Sequence, residues 1–267
     1  MNKYLLLLSL LLVTNIFAKE TPLSASIAFV GMGMDYREYG SSGELLDSED
    51  SSYLDMGGIE VGLAYILSQD ATSASELQLN YMTLAGATQY IGSFLGSGQP
   101  YGSAVSTTYN EIIDIDVVYK RSKKFKNNIS LDYGVGIGYR EWKRALSVSQ
   151  VEVYSWYSLR PIVGVRYSFE KFNLGISMEY QYGIDTKMSA SDLGHVFTLG
   201  GADILELSFP ISYRYDKNID FTFETVMQKQ TISESDRLYA SGGSGYYYEP
   251  KSTAYNSYVK FGIGYKF

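Results

Sequence analysis

The chain has 267 residues with 22 Lys and Arg against 29 Asp and Glu, a formal charge of -7; with no basic surface to neutralise phosphates, no nucleic-acid partner is expected. It contains no cysteine, which excludes a disulfide-stapled module, a lipoprotein anchored through an N-terminal cysteine, thiol catalysis and sulfur-ligated zinc. Hydrophobic residues make up 45% of the sequence yet the mean hydropathy is only -0.10, a balance expected when apolar and polar residues alternate along strands rather than cluster in helices.

Asn2 and Lys3 precede an apolar stretch from Tyr4 to Val13, and Ile16-Phe17-Ala18 offers a small residue for cleavage. Residues 1–18 therefore read as an export signal and 19–267 as the mature domain. The stretch is short for a membrane helix, Lys19 and Glu20 follow at once, and no later segment approaches about 18 continuous apolar residues, so a helical membrane protein is not expected.

Ten strands follow. The first runs from about Ser24 to Tyr36, the second from Gly57 to Leu67 with Ile59, Val61, Leu63, Tyr65 and Leu67 on one face, and the third from Ser75 to Ala85. The fourth, Asn110 to Tyr119, sets Ile113, Ile115, Val117 and Tyr119 against Asp114 and Asp116. The fifth is Ile129 to Trp142, the sixth Val151 to Phe169, the seventh Phe172 to Ile184, the eighth Asp203 to Tyr215, the ninth Ile219 to Gln228 and the tenth Thr253 to Phe267. Their lengths suit tilted passage through a thin hydrocarbon layer. Pro161 and Pro210 fall inside strands six and eight, where each removes a ladder donor, and predict a bulge or a register slip.

The gaps alternate in length. Gln69–Ala74, Arg121–Asn128, Glu170–Lys171 and Asp216–Asn218 are short, as periplasmic turns should be. Tyr39–Met56, Gly86–Tyr109, Lys143–Gln150, Asp185–Ala202 and Lys229–Ser252 are longer and should face outside. Aromatics form two expected girdles: Tyr65, Tyr119, Tyr167, Phe172, Tyr215, Phe221 and Tyr265 at the short-turn end, and Tyr36, Tyr81, Tyr139, Trp142, Tyr157 and Tyr182 at the other.

By parity the interior receives Glu60, Glu76, Asp114, Asp116, Asp132, Glu152, Glu179, Glu206, Asp220 and Glu224, partly balanced by Arg140, Arg160, Arg166, Arg214, Lys260 and Lys266. Ten strands make a narrow tube, so these charges are expected to pair and plug it. A small cation-preferring channel is the alternative. Gly31, Gly33, Gly62, Gly134, Gly136, Gly138, Gly164, Gly262 and Gly264 are assigned to the same inner face.

The closing segment TAYNSYVKFGIGYKF alternates Tyr255, Val259, Phe261, Ile263, Tyr265 and Phe267 with Asn256, Tyr258, Lys260 and Lys266, and stops on an aromatic. In this the chain resembles Gram-negative outer-membrane β-barrel proteins, whose final strand closes the barrel and carries the assembly signal. The fold class is thus all-β, a transmembrane antiparallel β-barrel of ten strands. The resemblance implies an outer-membrane location, contact with outer-membrane lipid and lipopolysaccharide, and recognition by the barrel assembly machinery through the C-terminal strand.

The ten-strand layout with five outer loops resembles the omptin family of outer-membrane proteases over nearly the whole mature chain. The resemblance implies an Asp pair on one side of the mouth and an Asp-x-His pair on the other. His195 is the single histidine and lies between strands seven and eight, but its local sequence is Asp192-Leu193-Gly194-His195, one residue too long. Gly86–Tyr109 contains no acidic residue, and Asp114 and Asp116 lie roughly 10 Å or more below the rim at about 3.3 Å per residue. A lipid deacylase of the His-x-Ser kind would need serine where Phe197 stands. The sequence therefore assigns no catalytic, cofactor-binding or metal-binding residue, and reads His195 as a loop histidine.

The outer loops carry aromatics on flexible backbone: Tyr90, Phe94 and Tyr101 in one, Ser241-Gly242-Gly243-Ser244-Gly245 before Tyr246-Tyr247-Tyr248 in another. This composition suits contact with an extracellular ligand. The basic run Lys120 to Lys126 reads as a solvated turn. The function expected is a non-enzymatic surface or structural barrel with adhesive or ligand-binding loops, with a channel or an omptin-like hydrolase as alternatives.

Overall fold

A computed structural model describes residues 22–52, 54–93, 99–239 and 245–267. The predicted signal, Phe94 and the Ser241–Ser244 stretch lie outside the described residues.

Among the described residues there are fourteen strands: β1 (Leu23–Tyr39), β2 (Leu45–Asp50), β3 (Met56–Gln69), β4 (Ser73–Gly92), β5 (Ala104–Lys124), β6 (Ile129–Ala145), β7 (Val151–Phe169), β8 (Phe172–Ala190), β9 (His195–Thr198), β10 (Ala202–Arg214), β11 (Ile219–Ile232), β12 (Leu238–Tyr239), β13 (Tyr246–Tyr247) and β14 (Lys251–Lys266). Ten of them, β1, β3, β4, β5, β6, β7, β8, β10, β11 and β14, form one antiparallel wall that closes by pairing β14 with β1. These are the ten strands predicted. Closure leaves no free edge, which a sheet in hydrocarbon requires.

Alternation sets the faces. Tyr133, Val135, Ile137, Tyr157, Leu159, Val163 and Val165 point outward and stay exposed, while Asp132, Arg140 and Arg160 point inward and are buried. An oily exterior around a polar lower interior is the inverse of a soluble sheet and the expected form of a membrane barrel. The belt ends toward the long loops where the outward face becomes charged, at the ion pair Lys143–Glu111 (3.6 Å).

The wall continues beyond that belt. β2 pairs with the outer end of β1 (Arg37↔Ser48) and with β4 (Asp50↔Gln89), and β9 pairs with the outer end of β8 (Ala190↔His195). Much of what the sequence assigns to outer loops is thus sheet.

Three further expectations need correction. Tyr36 and Trp142, assigned to the outer girdle, are 0% and 2% exposed and face the interior, because they share parity with Met34 and Arg140. Gly31 and Gly33 lie on the outward face of β1, opposite in parity to the inward Val30, Met32 and Met34. Leu54 covers Gly31: a Cβ there would meet its Cδ2 at 2.5 Å. The prolines shift no register. At Pro161 the pairs on either side, Leu159↔Tyr182 and Ile162↔Glu179, keep one register, as do Ser208↔Ser177 and Ile211↔Leu174 around Pro210. Each proline removes a rung; the slip in β7 occurs instead between Ser155 and Tyr157.

Two of the short turns use the same device. Asp70 Oδ1 accepts from the Thr72 and Ser73 amides at 2.7 and 2.8 Å, and Asp216 Oδ1 accepts from Asn218 and Ile219 at 2.8 Å each. These amide hydrogen bonds hold both carboxyls below the ordinary range.

Candidate functional site

The interior has two layers, where the sequence predicts one. In the lower layer, charges pair across the lumen. Asp114 meets Arg160 at 2.8 Å and Arg140 at 3.5 Å; Asp116 accepts from Asn80 at 2.8 Å and meets Arg160 at 3.3 Å; Lys260 bridges Glu60 and Glu224 at 2.8 and 3.4 Å. A polar cavity of about 250 Å³ remains between them. Gly138 makes the arrangement possible, since the Arg160 guanidinium lies 2.4 Å from where a Cβ would stand.

Above this layer the lumen is filled by apolar side chains rather than by charge. Met32, Met34, Tyr36, Leu84, Ile112, Trp142, Tyr154, Trp156, Phe197 and Ile204 form one buried cluster. Trp142 stacks on Tyr154 with ring centroids 5.1 Å apart, meets Tyr36 edge-on at 5.2 Å, and donates from Nε1 to Asn110 Oδ1 at 2.8 Å. The inward set is thus oily at this level and charged below it.

The mouth at the long-loop end is organised around Arg144, which is fully buried. Its guanidinium lies 4.3 Å from the Tyr36 ring centroid. Nε and Nη2 donate to Glu49 Oε1 at 3.0 and 2.7 Å, and Nη1 donates to Glu38 and Glu152 at 2.8 Å each. The other Glu49 oxygen accepts from Thr88 at 2.6 Å and Asn110 at 3.1 Å. Glu249, from the loop before β14, accepts from the Tyr154 hydroxyl. Planar, multidentate pairing of this kind suits guanidinium and not ammonium.

This cluster lies above the charged end of the belt. At Glu49, burial acts to raise the carboxyl's pKa, but Arg144 and the Thr88 and Asn110 hydrogen bonds outweigh it and hold the group below its ordinary value. Asp47 is pushed up to about 7 by burial and by the charge of Glu38. Glu249 is raised well above the ordinary range by burial and by the charges of Glu38 and Glu152. One arginine therefore faces a surplus of carboxylates.

His195 opens β9, with its ring edge-on to Phe197 at 4.6 Å. Asp192 is exposed and accepts from the Leu193 amide at 3.0 Å. Asp114 and Asp116 are committed to arginines inside the barrel. The structure does not bring these residues together. Sequence reasoning missed Arg144, Glu38, Glu49 and Glu249; extending the inward parity of Arg140 by four residues would have placed Arg144 inside, whereas the expected parity of the first strand, with Gly31 and Gly33 inward, put Glu38 outside.

Beyond the mouth, β12 and β13 pair Tyr239 with Tyr246 across the segment 240–244. Tyr239, Tyr246 and Tyr247 are exposed, and Arg237 lies over the Tyr246 ring at 4.5 Å.

No family model matches the chain, and no curated protein matches it in sequence. Among solved structures it is similar to the outer-membrane protease OmpT from Escherichia coli, with 12% identity, a TM-score of 0.56, and coverage of 94% of this chain and 99% of that one. The chain has the fold of outer-membrane β-barrels, with a strand layout that resembles the omptins. It is also similar to the translocator domain of the autotransporter NalP from Neisseria meningitidis (9% identity, 96% and 92% covered, TM-score 0.47). A third similar structure is the transport unit of the autotransporter AIDA-I from Escherichia coli (9% identity, 94% and 92% covered, TM-score 0.47). At 12% identity the property shared with OmpT is the fold.

Proposed function

We propose that this barrel is a non-enzymatic surface protein of the outer membrane, closed to solutes, whose function lies in contacts made by its extracellular rim. The apolar cluster across the lumen carries this reading: Trp142, Trp156, Tyr154 and Met32 occupy the level where a channel needs water. In further support, Asp114 and Asp116 have their charge taken up by Arg140 and Arg160 below the mouth. The oily belt would face outer-membrane lipid and lipopolysaccharide, and β14 would be the strand engaged by the barrel assembly machinery.

The rim feature suited to contact an extracellular ligand is the β12–β13 hairpin. Exposed tyrosines give area and a hydroxyl at low entropic cost. Cells displaying the chain, tested against a panel of immobilised polysaccharides and proteins, are expected to adhere to at least one surface. Replacing Tyr239, Tyr246 and Tyr247 together by serine is expected to cut that adhesion about tenfold or more, in line with aromatic anchors at interfaces. Undiminished adhesion by the triple variant, displayed at equal density, or adhesion to none of the surfaces, would contradict the reading.

A further inference from the structure

The mouth gathers more carboxyl groups around Arg144 than one guanidinium can pair. Glu38, Glu152 and Glu249 each offer an oxygen such that the three lie within 4.8 Å of one another. Arg144 engages Glu38 through Oε1 and Glu152 through Oε2, and Tyr154 engages Glu249 through Oε1. A carboxylate has two oxygens and about four lone-pair sites, so each acid keeps capacity for a further partner.

An independent observation points into the same space. Ser252 is 1% exposed, and its Oγ has no hydrogen-bond partner. It is paired in register with Glu38 across β1 and β14, and directly opposed residues in an antiparallel ladder project to the same face with Cβ atoms about 4.5–5.5 Å apart. A buried hydroxyl without a partner is costly, and here it shares a ladder rung and a face with Glu38 of the carboxylate cluster. All donors are oxygen, which selects hard cations. Three carboxylate oxygens within 4.8 Å of one another suit calcium, which takes many protein oxygens in flexible geometry, better than magnesium, which keeps several of its waters.

We propose that Glu38, Glu152, Glu249 and Ser252 form a calcium site on the extracellular side of the barrel. The ion would tie the loop bearing Glu249 to β1 and β7, so that the rim is ordered by external calcium.

The test uses the full chain refolded in detergent micelles and stripped with chelator. Calorimetric titration with calcium chloride is expected to show one saturable site at about 0.1–1 mM, the range of extracellular modules, and the melting temperature should rise with calcium. Glu249→Gln, shown to be folded by its heat-modifiable gel mobility, is expected to weaken binding at least tenfold; Ser252→Ala, which leaves every charge in place, should weaken it several-fold. The proposal is overturned if the wild-type chain shows no saturable heat up to about 10 mM, well above that range. It is equally overturned if both variants bind like wild type or if magnesium binds as tightly as calcium.

Discussion

Arg144→Met is expected to lower the unfolding free energy by about 3–5 kcal/mol, the cost of removing one partner from a buried ion pair and leaving the others uncompensated. Glu38, Glu49 and Glu152 all direct carboxylate oxygens at this one guanidinium, and Glu49 is 0% exposed. Methionine preserves much of the volume beneath the Tyr36 ring, so the loss reports charge rather than a cavity. Denaturant titration followed by tryptophan fluorescence measures it, because Trp142 lies 5.5 Å from the Arg144 guanidinium. Adding Glu49→Gln to Arg144→Met should recover part of the loss by removing a buried charge. A loss under about 1 kcal/mol, the level of an exposed ion pair, would show that the network is solvated.

Trp142→Ala is expected to cost about 3–5 kcal/mol through lost burial and the cavity left behind. The side chain is 2% exposed, stacks on Tyr154, meets Tyr36 edge-on and satisfies Asn110. Trp142→Phe keeps the ring contacts but strands the Asn110 carbonyl, at about 1–3 kcal/mol. Equilibrium unfolding of the two variants separates packing from the hydrogen bond. If Trp142→Ala unfolds like wild type, Trp142 faces lipid, as an aromatic girdle residue would.

The strand centres were legible because hydrocarbon outside and charge inside impose strict alternation, as in Tyr133, Val135 and Ile137 against Asp132 and Arg140. The strand ends were not. Above the belt the outward face meets water, so Glu111, Lys143 and Lys229 replace apolar residues and the period-2 signal disappears while the ladder continues. Ser106-Thr107-Thr108 reads as loop and is β5. Tyr36 and Trp142 were misplaced because an aromatic near a strand end suits a girdle as well as a luminal plug, and only parity carried past that end separates them.

The mouth was illegible for a different reason. Arg144 meets Glu49 across 95 positions and Glu38 across 106, and Asp47 and Glu49 fall in what reads as an acidic loop. Their convergence follows from β2 pairing with both β1 and β4, a consequence of topology that no local pattern announces. The absence of an omptin-like Asp-x-His spacing was visible in Asp192-Leu193-Gly194-His195, and the structure gives the remaining Asp pair to Arg140 and Arg160.

Single-channel recording tests the closed barrel most directly. The full chain, refolded and inserted into a planar bilayer at neutral pH and moderate salt, is expected to insert without conductance steps, because the apolar cluster around Trp142 and Trp156 spans the lumen. Stable, ion-selective steps from folded protein would contradict the account and would make Glu60, Asp116 and Glu224 the lining of a cation path.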